Sequence, residues 1–128
     1  MSDYTLVNIK QSEDLAKQFG MGDGLEGRFP RRALGLEQTG IGHYRLSPGY
    51  RLPFGHSHRQ NEEVYLVIRG TMRVKLDDEI VEVGEWDALR VPPGVMHGWE
   101  AGDDGAEMLA FGPHAEDDTD MEQGWWTD

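Results

Sequence analysis

Apolar and polar positions alternate along most of this chain in short runs, each closed by glycine or proline, which is the period of β-strands. The pattern predicts strands at 28–36, 42–46, 51–58, 63–69, 71–76, 80–83, 88–91, 95–99 and 107–111, with a further strand-like stretch at 4–9. Asp77-Asp78, set between Met72/Val74/Leu76 and Ile80/Val81/Val83, reads as a hairpin turn. Ser12-Glu13-Asp14 ahead of Leu15, Ala16 and Phe19 predicts a short capped N-terminal helix ending at Gly20. In the 63–69 strand, Glu63, Tyr65 and Val67 share one face, and Val64, Leu66 and Ile68 fill the other. Many short strands with closely spaced turns indicate an all-β antiparallel sandwich or barrel.

Composition narrows the class. With 128 residues the chain is expected to form a single domain, 1–128. Hydrophobic residues at 38% exclude a disordered chain, and seventeen glycines with six prolines argue against a helical bundle. The absence of cysteine excludes disulfides, thiol nucleophiles and thiolate-bound zinc. The net charge of −12 argues against nucleic acid and anionic membranes as partners. That charge is uneven. Residues 91–128 carry ten acids and no base, so the end of the chain, 113–128, reads as an acidic, solvating tail. The apolar runs are too short to span a membrane, and the N-terminal residues lack the pattern of a signal peptide, so the expected location is cytoplasmic.

His56-Ser57-His58 carries the candidate chemistry. Residues two apart on a strand face the same way, so both imidazoles point to one side of the sheet. Glu63 opens the next strand, close enough in sequence to return a carboxylate beside the rings. His97 follows Val91-Pro92-Pro93-Gly94-Val95-Met96, a turn between two strands. Taken singly, each of these features is ordinary. Together, three imidazoles and one carboxylate make a set suited to one divalent transition metal, among Mn, Fe, Ni, Zn, Co and Cu. Tyr65, Val67 and Trp99 fall by strand parity near these groups and are expected to line a pocket.

Over about residues 40–112 the sequence resembles the cupins, small β-barrels of two facing sheets. His56, His58, Glu63 and Gly70 match the first cupin motif, and Pro92, Gly94 and His97 match the second. The glycines ahead of each motif are displaced, and Ala101 stands where the second motif has asparagine. The resemblance implies a jelly-roll double-stranded β-helix with His56, His58, Glu63 and His97 as metal ligands. Glu62 is an alternative to Glu63, because the motif permits either spacing. It also implies either a metal-dependent enzyme of isomerase or dioxygenase type, or a barrel that binds or senses a small ligand without turnover. Small cupins commonly pair, so a homodimer is expected.

The remaining candidates have plainer readings. His43 and His114 are single histidines, read as structural or exposed. Arg45, Arg51, Arg69, Arg73 and Arg90 are strand arginines whose default is the surface, although one could bind a substrate carboxylate or phosphate. Trp125-Trp126 suits docking onto the barrel or onto a partner chain better than a solvated tail.

Overall fold

The computed structural model describes residues 3–113 and 118–128. Its strands are β1 (Leu25–Arg28), β2 (Thr39–Leu46), β3 (Phe54–His58), β4 (Glu63–Leu76), β5 (Glu79–Val83), β6 (Ala88–Val91), β7 (His97–Pro113) and β8 (Thr119–Gln123), with one helical turn, α1 (Arg31–Leu34). All the pairings between these strands are antiparallel.

Two long strands organise the barrel. β4 and β7 pair along most of their length, from Val64 opposite Phe111 to Leu76 opposite His97, with register breaks at Val67/Arg69 and Gly70/Met72. On one side of the break, β1, β2, the later half of β7, the early half of β4 and β6 form one layer. On the other side, β8, β3, the early half of β7, the later half of β4 and β5 form the second. Gly70 and Gly105 make the crossing possible. Both have positive φ (+77°), and a Cβ on Gly70 would lie 2.1 Å from the Gly105 carbonyl oxygen. A side chain there would drive the two strands apart.

The layers close on a core of Leu46, Tyr65, Val67 and Met108 from the first and Leu52, Phe54, Val74 and Trp99 from the second. Tyr44 and Trp99 meet across it with ring centroids 4.9 Å apart. This is the all-β architecture that the strand pattern implied, in the jelly-roll form that the resemblance implied.

Several boundaries differ from the sequence reading. The expected strands 63–69 and 71–76 are one strand, as are 95–99 and 107–111, because each glycine bends its strand without ending it. Segment 28–36 is not a strand: β1 stops at Arg28, Pro30 caps α1, and Gly35 ends it in the left-handed region. The helix-forming run Arg-Arg-Ala-Leu between a proline and a glycine overrides the alternation. Segment 4–9 forms no strand. The N-terminal helix shrinks to 3-10 turns at Ile9–Gln11 and Lys17–Phe19, the second closed by Gly20 at φ 72°. Asp14 accepts hydrogen bonds from Ala16 N (3.1 Å) and Gly27 N (2.9 Å), so the expected cap ties the segment to β1 instead of starting the expected short α-helix.

The end of the chain is the largest correction. Most of its described residues are exposed, as expected, but it is not a plain tail: Thr119–Gln123 forms β8, paired with β3 from His58↔Thr119 to Phe54↔Gln123. Trp125 packs over Gly55 and Gly98, and Lys75 Nζ lies 4.3 Å above its ring. Trp126 is covered by Arg51 at 4.5 Å, while Asp128 pairs with Arg51 at 3.1 Å.

Candidate metal centre

Strand register places the histidines. β3 sends His56 and His58 to the same face, and His56 is the direct cross-strand partner of His97 at the start of β7. Their rings lie 4.2 Å apart. The Pro92-Pro93-Gly94 turn sets where β7 begins: Gly94 N donates to the His58 carbonyl (2.7 Å), and Asp77 N in the β4–β5 hairpin donates to the Met96 carbonyl (2.8 Å). From the opposite layer, β4 brings in Glu63 and Tyr65.

One ligand atom each from His56, Glu63 and His97 lies within 4.8 Å of the others. His58 stands outside that group. Its Nε2 is 2.6 Å from Glu63 Oε2, and its ring centroid is 6.4 Å from that of His97. The four residues expected as a ligand set are thus neighbours, with three convergent donors and the fourth engaged on the carboxylate. Glu62 points elsewhere, accepting from Arg90 Nε at 2.7 Å.

Hydrogen bonds assign the tautomers. His97 Nδ1 donates to the Val95 carbonyl (3.0 Å), which leaves Nε2 as an acceptor for the Tyr65 hydroxyl at 2.8 Å. With its only proton committed there, the Tyr65 oxygen accepts from His56 Nε2 at 3.3 Å. His56 Nδ1 is then a buried ring nitrogen with no partner among the described residues.

Burial is the main influence on the charges. It pushes His56 well below its ordinary value, helped by the neighbouring His97 and His58, and it pushes His97 down as well. Both rings are therefore neutral near pH 7. His58 goes the other way, raised by its hydrogen bond to Glu63 against the cost of burial. Burial, with the Glu63 charge, holds the Tyr65 hydroxyl in its protonated form.

A cavity of about 670 Å³ opens at the outer edge of this cluster, with His58 and Glu63 in its wall. Its other walls include Phe19, Phe29, Tyr44, Ile41 and Phe111, and Thr119 from β8. Tyr65, Val67 and Trp99, expected as pocket lining, are instead fully buried in the core. Of these, Tyr65 reaches the site through its hydroxyl, and Val67 has no polar group to offer. Strand parity named the inward face correctly but could not say which inward residues reach the open end of the barrel. Thr119 was missed because β8 has no hydrophobic alternation; its hydroxyl is 3.3 Å from His58 Nδ1.

His43 is buried with Nε2 2.6 Å from Glu107 Oε1, a structural pair at the β2–β7 contact. His114 lies outside the described residues. Arg45, Arg51, Arg69, Arg73 and Arg90 each sit beside a carboxylate, so none is offered to a ligand.

A two-layer antiparallel barrel holding imidazoles and a carboxylate on its inner face defines a class of small jelly-roll proteins. The cupin domain model matches residues 42–112, and the chain belongs to the cupin family. No curated protein matches the sequence. Among solved structures, a cupin protein from Bacteroides fragilis is 24% identical with a TM-score of 0.71, covering 91% of this chain and 89% of that one. Oxalate decarboxylase from Bacillus subtilis is 26% identical with a TM-score of 0.75, over 94% of this chain. The present chain spans only 32% of that enzyme. The polyketide cyclase RemF from Streptomyces resistomycificus is 19% identical with a TM-score of 0.76, covering 97% and 87% of the two chains, a likeness of fold alone.

The donor chemistry fits a metal. Two imidazoles kept neutral by burial have lone pairs to give, one has a buried nitrogen without a partner, and a carboxylate lies beside them. No helix is long and apolar enough to cross a membrane among the described residues.

Proposed function

We propose that this cupin is a metal-dependent enzyme acting on a small molecule, of isomerase or oxygenase type, with His56, His58, Glu63 and His97 holding one divalent transition metal. The observation that carries the reading is the convergence of His56, Glu63 and His97 donors within 4.8 Å, with Glu63 also in the wall of a cavity large enough for a small metabolite. His58 completes the set by exchanging its hydrogen bond to Glu63 for the ion. When bound, the metal supplies Lewis-acid polarisation of a substrate oxygen. The chain's own residues do the rest. His97 is oriented by the Val95 carbonyl, the Tyr65 hydroxyl holds a proton at the inner edge of the site, and the aromatic walls limit water. Oxalate decarboxylase, one of the similar structures, is an enzyme by name, which supports turnover over binding alone.

The test is metal content after separate loading with Mn, Fe, Co, Ni, Cu and Zn, coupled to a screen of isomerisation and oxygen consumption. The reading expects about one metal per chain, lost in His56→Ala and His97→Ala, and turnover that depends on it. Tight ligand binding without turnover under any metal would move the protein to the binding class. Absence of any bound metal would overturn both the ligand set and the reaction type.

A further inference from the structure

The cavity wall carries a charge pattern that the metal centre does not use. Besides His58 and Tyr44, four ionisable side chains line it: Arg31, Arg32, Glu62 and Glu63. The two acids are engaged, Glu62 by Arg90 at 2.7 Å and Glu63 by His58 at 2.6 Å. The two bases are not: among the described residues neither the Arg31 nor the Arg32 side chain has a hydrogen bond or ion pair, and Arg31 Nε is buried without a partner. Every other arginine of the chain sits beside a carboxylate. In a chain with twenty-four acids and twelve bases, leaving two adjacent arginines unpaired at a cavity is a departure that calls for a ligand.

The fold supplies the placement. Pro30 and Gly35 bracket α1, so the single turn holds Arg31 and Arg32 where β1 gives way to β2, beside the apolar walls of Phe29, Phe19 and Tyr44. An arginine fork matches an oxyanion bidentately, and partial burial strengthens that contact. The aromatic rings beside it favour an apolar body over a polyhydroxylated one.

We propose that the cavity binds an organic acid with an apolar body, its oxyanion (carboxylate or phosphate) docked on Arg31, with Arg32 adding charge at the rim. The proposal rests on the reading of this cavity as a small-molecule site and names the substrate class it takes. The anchor lies on α1 and the metal donors on β3, β4 and β7, so the ligand spans from Arg31 towards the His58–Glu63 edge.

Calorimetric titration on chelator-treated protein tests it, with 3-phenylpropanoate, hexanoate and phenyl phosphate as probes and 3-phenylpropanamide and acetate as controls. The expected result is binding of at least one apolar acid, weakened about tenfold or more in Arg31→Gln and partly restored in Arg31→Lys. The amide and acetate bind no better to the wild type than the acid does to Arg31→Gln. Whichever apolar acid binds more tightly names the headgroup. Thermal melts of both variants establish that they are folded. The same titration in His56→Ala separates this proposal from the metal reading. Arg31-dependent binding that persists in His56→Ala leaves the anchor standing apart from the metal, and it stands also if the wild type takes up no metal on reloading and the metal reading fails. Acid binding that is lost in His56→Ala but kept in Arg31→Gln places the oxyanion at the histidine cluster and overturns the anchor. Equal binding of acid and amide, or no binding of any probe at millimolar concentration, also overturns it.

Discussion

The Tyr65 hydroxyl donates to His97 Nε2 at 2.8 Å, across the two layers of the barrel. It thereby occupies the lone pair that a metal would take, and it also accepts from His56 Nε2 at 3.3 Å. One phenol therefore gives the Nε2 atoms of both imidazoles a hydrogen-bond partner while the donors are free of metal.

That relationship predicts two opposite effects of Tyr65→Phe. The metal-free variant loses about 1 kcal/mol of stability or somewhat more, because buried ring nitrogens lose their partner. Its affinity for a divalent metal is equal to or higher than that of the wild type, because nothing competes for His97 Nε2. Urea unfolding and metal titration check the pair of outcomes. Weaker metal binding in the variant would mean that the phenol helps to hold the ion.

The histidines set a stability maximum in pH for the metal-free protein. His56 and His97 have folded-state values below the ordinary ~6.5, so the unfolded chain binds more protons and stability falls as pH drops below that point. His58 has a raised value, so its contribution is complete below ~6.5 and is lost as pH rises through its folded value. Stability should therefore peak near pH ~6.5. His58→Gln should flatten the alkaline side, and His56→Gln should reduce the loss on the acid side. Chemical denaturation from pH 5 to 8 reads this directly. An unchanged alkaline limb in His58→Gln would remove the His58–Glu63 pair as its cause.

Trp125 buttresses the two strands that carry the paired histidines. A Cβ on Gly55 would lie 2.8 Å from its ring, and one on Gly98, beside His97, 3.0 Å. Trp125→Ala should cost about 2 kcal/mol. Gly55→Ala should cost a comparable amount in the wild type and much less in the Trp125→Ala background, because the clash partner is gone. Additive losses in that double-mutant cycle would show that Trp125 does not bear on Gly55.

Assembly is open to a simple test. β5 and β6 flank β4 at the edges of their layers, and Trp86, in the turn between them, is 71% exposed. A homodimer through such an edge is the expected state. Light scattering should give twice the 14.5 kDa chain mass, and Trp86→Ser should lower it. A wild-type mass of one chain at micromolar concentration would refute the dimer.

The class of fold and the neighbourhood of the candidate site were legible in the sequence because both rest on period two. Alternation marks strands, and His56-Ser57-His58 puts two rings on one face whatever the loops do. What alternation could not show was depth along the barrel. Tyr65, Val67 and Trp99 point inward, yet they lie below the cavity, whereas Tyr44 and Phe29 form its wall. Nor could it show β8, whose five exposed residues, Thr119–Gln123, earn their place through backbone pairing with β3. The two tryptophans beyond it were the only hint that the acidic end packs at all.

The central claim is that one metal sits between His56, Glu63 and His97 with His58 turning in to join them. Crystals of cobalt-loaded protein, measured at the cobalt absorption edge, test it most directly. The account predicts a single anomalous peak at about 2.0–2.2 Å from nitrogens of His56, His58 and His97 and from a Glu63 oxygen. A peak elsewhere on the barrel, or none at these four residues at full cobalt loading, would contradict it.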